Sequence, residues 1–325
     1  MKLCVTGGAG YIGSIVAQAL IEGGHEVTVL DNVSTGHAAA VPDGCRFIRS
    51  DIRDADALAK AFGAGVEAVL HFAAFSVVSD SVNRPLVYFD NNIGGTIHLL
   101  ESMERFGVKR IVFSSSAAVY GEPEKLPIVE TDFCKPSNPY GFSKLVVEQM
   151  LRASRDAWGL EFVSLRYFNA GGSVADHGEH HEPETHLIPI VLDVAAGYRE
   201  KFTIFGDDYD TPDGTCLRDY IHVYDLAVAH ILALSAMDHG FSGVLNLGSD
   251  RAFTVLDVVK AVERVTGKKV RYEIGARRPG DPPALLASSK EAERVLGWKK
   301  TRSSLEEIIR SAYEWRLRHP KGYPS

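Results

Sequence analysis

Three observations predict an α/β fold, a doubly wound parallel sheet with a smaller mixed α/β lobe. Short apolar runs alternate with amphipathic stretches through the first half, glycines crowd the first strand-to-helix turn, and 45% of the 325 residues are hydrophobic. That apolar content supports a substantial core and excludes a disordered chain. With 35 Lys+Arg against 42 Asp+Glu, the net charge of −7 gives no general attraction for nucleic acid or anionic membranes, so any phosphate site has to be built locally. Cys4, Cys45, Cys134 and Cys216 are scattered without CxxC spacing, which fits a reduced cytoplasm better than a zinc or redox pair. Residues 1–5 run into glycine before a leader's apolar stretch can form, and no apolar run reaches membrane-spanning length.

In chain order, residues 2–6, 26–30, 47–49, 68–71, 110–114 and 162–166 read as buried strands of a parallel sheet. Between the first two, Ile12, Val16 and Leu20 recur at helical spacing and Gly23-Gly24 supplies the stop, completing a βαβ unit. Residues 85–106 read as one long helix, opened by Pro85 and closed at Gly107, and residues 140–158 as another. The alternation breaks after Asn169, at Gly171-Gly172 and a His-rich stretch, before an apolar helix over 187–196. Short strands follow at 202–205 and 245–247, with an amphipathic helix at 255–266. Two closely packed units are expected, 1–169 and 170–325, with room for segments of the second to return to the first. His177, His180, His181 and His186 invite a metal reading, but their company is Gly, Glu and Pro and the paired ligand spacing is absent. A solvated loop is expected there, and no metal site.

Gly7, Gly10 and Gly13 form GxxGxxG between the first strand and first helix, where small residues let the backbone turn tightly and approach a pyrophosphate at the helix N-terminus. Such a pattern gains meaning from its setting. Asp31 ends the second strand, where a Rossmann-type fold places a carboxylate on the adenosine ribose hydroxyls, which favours NAD over NADP. A turn or helix-cap Asp would look the same. Asp51-Ile52 after the third strand can flank an adenine ring or simply make a turn.

Ser116 closes the serine run 114–116 at the end of the fifth strand, and Tyr140-x-x-x-Lys144 opens the helix that follows. Ligands of open parallel sheets bind beyond the carboxyl ends of the strands, so these side chains can converge over a bound cofactor. Residues four apart share a helix face. An ammonium beside Tyr140, joined by a positively charged nicotinamide, favours the phenolate and makes a general base for deprotonating a sugar hydroxyl, with Ser116 on the same oxygen.

The segments GGAGYIGS (7–14), LDN (30–32), HFAA (71–74), NN (91–92), SSSAAVYG (114–121), NPYGFSK (138–144), RYFN (166–169), HLIP (186–189), RDYIHVYDLA (218–227) and RPGD (278–281) carry a resemblance. Over essentially its whole length the chain resembles the UDP-hexose 4-epimerase branch of the extended short-chain dehydrogenase/reductase superfamily. The resemblance implies an isomerase in which Tyr140 is the base, Lys144 holds the nicotinamide ribose and Ser116 assists proton transfer. It implies an NAD site lined also by Tyr11, Ile12, Asp31, Asn32, Asp51, Ile52, Phe72, Ala73, Asn91 and Phe168. A UDP-hexose would meet Ser116, Tyr140, Asn169, Leu187, Phe205, Arg218, Arg278 and Asp281, with Leu285 bearing on whether N-acetylated sugars fit. Arg218 and Arg278 make independent sense as a local cationic site for a diphosphate, against the plainer alternative of ion pairs with Asp219 or Asp281. A homodimer through helices 85–106 and 140–158 and a role in galactose metabolism are further implications.

Departures from the resemblance are Ser76 and Ala118, each replacing a donor, and His186 where some relatives carry Asn. A 4,6-dehydratase needs an acid/base pair after the serine, where this chain has Ala117-Ala118. Epimerases of UDP-GlcNAc, UDP-glucuronate or UDP-xylose share every catalytic residue. A non-catalytic NAD-binding protein would be expected to have lost Tyr140, Lys144 or Ser116.

Overall fold

The computed structural model describes residues 1–278 and 282–324. Six strands of the first half, β1 (Lys2–Thr6), β2 (Glu26–Asp31), β3 (Arg46–Arg49), β4 (Ala68–His71), β5 (Arg110–Ser116) and β6 (Glu161–Tyr167), lie parallel in one sheet. Gly243–Leu247 joins them as the seventh, giving the order Gly243–Leu247, β6, β5, β4, β1, β2, β3. Several strands run one or two residues beyond the sequence reading. The extension matters at β2 and β5, because Asp31 and Ser116 become the last residues of their strands and stand at the sheet's carboxyl edge.

Helices cover both faces. Tyr11–Glu22 packs with Val223–Asp238 on one side, where Val16, Leu20, Leu226, Ala229 and Ala233 are buried against the strands. The other side buries Leu58, Phe62, Leu99, Met103, Val147 and Leu151 against Val69, Ile111 and Phe113. Burying each such large side chain stabilises the fold by about 1.5–3 kcal/mol, so the sheet position is set by apolar burial on both faces. Residues well beyond 169 thus return to this sheet as a strand and a helix.

The helix expected over 85–106 is interrupted. An α-turn at Pro85–Tyr88 passes into a π-helical turn at Phe89–Gly94 before α-helix resumes at Gly95–Phe106. The cause is tertiary: Asn92 Nδ2 donates to Phe75 O at 3.0 Å and to Ser143 Oγ at 2.9 Å, while its Oδ1 accepts from Phe75 N at 2.8 Å. Gly95 then lets this helix close on Ile52, whose Cδ1 would lie 2.5 Å from any Cβ there.

A second set of strands follows Asn169. Asn169–Gly171 and Ala284–Leu285 pair in parallel with Leu217–His222, and Ala252–Thr254 pairs antiparallel with it. Phe202–Phe205 pairs separately with Tyr272–Gly275. Helices Leu187–Ala196, Val255–Thr266 and Leu305–Arg318 pack beside them through Val191, Val258, Val262 and Ile308. Thr254 and Asp257 close a capping box at the start of the second of these, satisfying two backbone donors reciprocally. Among the described residues, no helix is long and apolar enough to cross a membrane.

Candidate active site

The turn after β1 is shaped for close backbone approach. Gly7 has φ +76°, and a Cβ on it would lie 2.5 Å from Ala73 N. A Cβ on Gly13 would lie 2.2 Å from Gly7 O, so the turn and helix contact each other through bare backbone. Gly10 caps the helix without a side chain and no acidic residue enters the first turn, leaving the helix's positive end open to an anion. This cradle fits a dinucleotide pyrophosphate. Asp31 is buried beside it, Oδ2 accepting from Ala9 N at 3.0 Å and Oδ1 from Val33 N at 2.7 Å. Burial raises its pKa, and these two N–H groups work against the rise. The carboxylate therefore braces the glycine turn and keeps lone pairs for hydroxyl donors. Asp51 is drawn well below the usual carboxylate range by Arg53, and it accepts from Asn32 Nδ2 at 2.9 Å.

Asn138 caps the helix Pro139–Trp158 by accepting from Gly141 N at 2.9 Å, and the first turn carries Tyr140. Gly141 allows that turn to sit on the Ala118 carbonyl, 2.4 Å from where a Cβ would stand. Lys144 is 3% exposed and donates to Ser114 O at 2.7 Å, with its Nζ 5.8 Å from the Tyr140 ring centroid. Burial pushes this ammonium down to about 7 against the favourable pull of Glu148. Tyr140 itself is raised by burial, and the group that opposes the rise is the Ser116 hydroxyl. The phenolate was expected from Lys144 together with a positively charged nicotinamide, and burial is what opposes it in the protein. A buried phenol needs positive charge close by before the phenolate forms.

These groups open into one cleft of about 1000 Å³. It is lined by every residue named above for cofactor or sugar nucleotide, except Asp281, which lies outside the described residues. Phe72 and Phe168 supply apolar walls, and Asn169 Nδ2 donates to Asp219 O at 2.8 Å. Arg278 stacks its guanidinium 3.9 Å above the Phe205 ring. Arg218 sits on Leu217–His222 directly beside Leu285 in register. The alternative partner Asp219 is fully buried and turned away, accepting from Ser249 N at 2.7 Å and Ala287 N at 3.1 Å.

Other supports escape a motif search. Beneath Ser116, Glu148 and Arg166 form an ion pair of 0% and 3% exposure, with Nε to Oε1 at 2.9 Å. Ser115 Oγ donates to the same carboxylate at 2.6 Å, and Arg166 Nη1 donates to Tyr120 OH at 2.9 Å. The stretch expected as a solvated loop lines the cleft through Glu179, His181, Glu184, Thr185 and His186, while Glu182 and Pro183 stay exposed. Glu179 is only 8% exposed and contacts His186 Nδ1 at 2.5 Å, whereas His180 leaves to stack on His37 at 4.5 Å. A glutamate spacing of five residues beside histidines was the available signal.

A family model described as the NAD dependent epimerase/dehydratase family matches residues 3–248. The chain is 52% identical to the UDP-glucose 4-epimerase of Streptococcus mutans, over 99% of each chain. Among solved structures, UDP-glucose 4-epimerase from Brucella ovis in complex with NAD is 45% identical with a TM-score of 0.93, covering 96% of this chain and 97% of that one. The Stenotrophomonas maltophila enzyme, with bound NAD and formylated UDP-arabinopyranose, is 40% identical with a TM-score of 0.95, covering 99% of both.

Proposed function

The chain belongs to the NAD dependent epimerase/dehydratase family, and from that premise we propose that it is a UDP-glucose 4-epimerase interconverting UDP-galactose and UDP-glucose. The observation that carries this reading is one cleft that joins a dinucleotide cradle at Gly7, Gly10 and Gly13 to Ser116, Tyr140 and Lys144. Bound NAD supplies hydride acceptance and return, so no outside reductant is consumed. Tyr140 takes the O4 proton as the C4–H bond breaks, and Ser116 hydrogen-bonds the same oxygen. Lys144 holds the cofactor ribose. Asn169, Leu187, Phe205, Arg218, Arg278 and Asp281 hold the UDP-sugar, and the enclosing second unit keeps the 4-keto sugar from escaping before reduction on its other face. On this reading residues 1–169 with their returning segments form the NAD-binding unit, and 170–325 supply the sugar-nucleotide side.

Dehydration across C5 and C6 is disfavoured because Ala117 and Ala118 line the cleft after Ser116 and offer no proton. Breadth toward UDP-GlcNAc, UDP-glucuronate or UDP-xylose turns on the surroundings of Leu285. Incubating the purified protein with UDP-galactose, without added reductant, is expected to yield UDP-glucose by NMR. Turnover of only a pentose or uronate nucleotide would overturn the substrate assignment, and bound NAD without turnover would favour a binding protein.

The same reading makes the protein a homodimer in the cytoplasm, where its four unpaired cysteines suit a reducing medium. Leu86, Ile97 and Phe142 are large apolar residues left exposed on the helical segments 85–106 and 139–158, and Leu86 is 77% exposed. Such a patch calls for cover. Sedimentation is expected to give the mass of two chains, falling to one in Leu86→Asp; a monomeric wild type would refute the dimer.

A further inference from the structure

We propose that Glu179, His181, Glu184 and His186 form a binding site for a divalent cation of the zinc class. Each offers one ligand atom, and these atoms all lie within 4.8 Å of one another. The arrangement alternates nitrogen and oxygen. His181 Nδ1 stands 3.5 Å from Glu179 Oε1 and 3.6 Å from Glu184 Oε2, and His186 Nδ1 stands 3.6 Å from Glu184 Oε1. With zinc–ligand bonds of about 2.0–2.2 Å, the edge of a coordination tetrahedron is about 3.3–3.6 Å; with Glu184 Oε2 as that residue's ligand atom, the two contacts of His181 Nδ1 already match it. The contact between His186 Nδ1 and Glu179 Oε1, at 2.5 Å, is a hydrogen bond that a metal would replace and open.

Two further observations set this cluster apart from a surface ion-pair network. His181 Nδ1 is inaccessible to solvent and has no hydrogen-bond partner. Glu179 and Glu184 are 8% and 16% exposed, and their only ion-pair partners among the described residues are the two imidazoles. Half-buried carboxylates whose ion-pair partners are imidazoles alone, facing an imidazole nitrogen without a hydrogen bond, are the donors that a divalent cation satisfies. The outer shell is also in place: Glu184 Oε1 accepts from Thr185 N and His186 N, both at 2.8 Å, which fixes the carboxylate. Two imidazoles and two carboxylates suit zinc better than calcium or magnesium, which take all-oxygen shells.

All four ligands come from one eight-residue loop that ends at the helix Leu187–Ala196 and lines the cleft. With four protein donors the site is closed, so the ion's role is to hold this wall, not to activate water.

The test uses the full chain, stripped with chelator and titrated with zinc alone. One ion per chain is expected, with tetrahedral d–d absorption when cobalt is used in place of zinc. Zinc should raise the Tm of the wild type and not that of His181→Gln or Glu179→Gln, each expected to weaken binding by at least ~10-fold. His239→Gln, an exposed histidine elsewhere, should bind as the wild type does. A wild type that takes up well under one equivalent, or uptake undiminished in both loop variants, would overturn the site, and the wild-type result stands whether or not a variant folds.

Discussion

Phenylalanine at position 140 is expected to lower kcat by about 10²–10⁴-fold while leaving bound NAD in place, since the substitution deletes the proposed general base and little else. Tyr140 stands on the first turn of Pro139–Trp158, held by the Asn138 cap and the close seat of Gly141 on Ala118. Neither support involves the phenol oxygen, so the ring should stay where it is. The chemistry depends on that oxygen losing a proton, and burial works against the loss. Lys144, pushed down to about 7 by its own burial, does not overcome this alone. On the proposed mechanism the oxidised cofactor would supply the remaining positive charge, so Tyr140 would act as a base in the loaded cleft. NAD content after denaturation and epimer formation by NMR measure the two properties separately. A variant with near-normal kcat would remove Tyr140 from the base role; one that loses NAD would show that the phenol also anchors the cofactor.

What the sequence made legible is what local chemistry dictates. Gly7 and Gly13 were readable because only glycine tolerates the backbone contacts they make, and Tyr140 and Lys144 because four residues on a helix share a face. The π-turn at Phe89–Gly94 was not, since its cause is Asn92 reaching Phe75 and Ser143, partners 17 and 51 residues away. The same limit hid the loop at 179–186. Counting histidines grouped His177 and His180 with His181 and His186, whereas folding sends His180 to His37 and brings two glutamates to His181 and His186 alone. The return of Gly243–Leu247 to β6 was visible only as a short apolar run, because a parallel neighbour is chosen by the sheet edge left open and not by local sequence.

Truncating Glu148 to alanine is expected to cost about 3–5 kcal/mol, the cost of leaving Arg166 charged and buried without its partner. At ~2.1 cal/mol/K of unfolding entropy per residue, that lowers Tm by about 4–7 °C for a chain of this size. Arg166 has Tyr120 OH as another acceptor, 2.9 Å away, but a neutral phenol cannot replace a carboxylate. Ser115 loses its acceptor as well, and it neighbours Ser116 at the end of β5, so the damage reaches the cleft. Two causes are separable. If the cost is an orphaned charge, adding Arg166→Met to a Glu148→Leu background should recover most of the lost stability, because filling the space with apolar atoms removes the charge that needed a partner. If the cost is lost packing, the double variant should stay as unstable as the single one. Denaturant midpoints for the wild type, both single variants and the double variant decide between them, and a single-variant loss under 1 kcal/mol would show that water reaches Arg166 after all. Recovery of stability without recovery of kcat would place the pair's value in positioning β5 under the cofactor, since the leucine–methionine pair fills the core but gives Ser115 no acceptor.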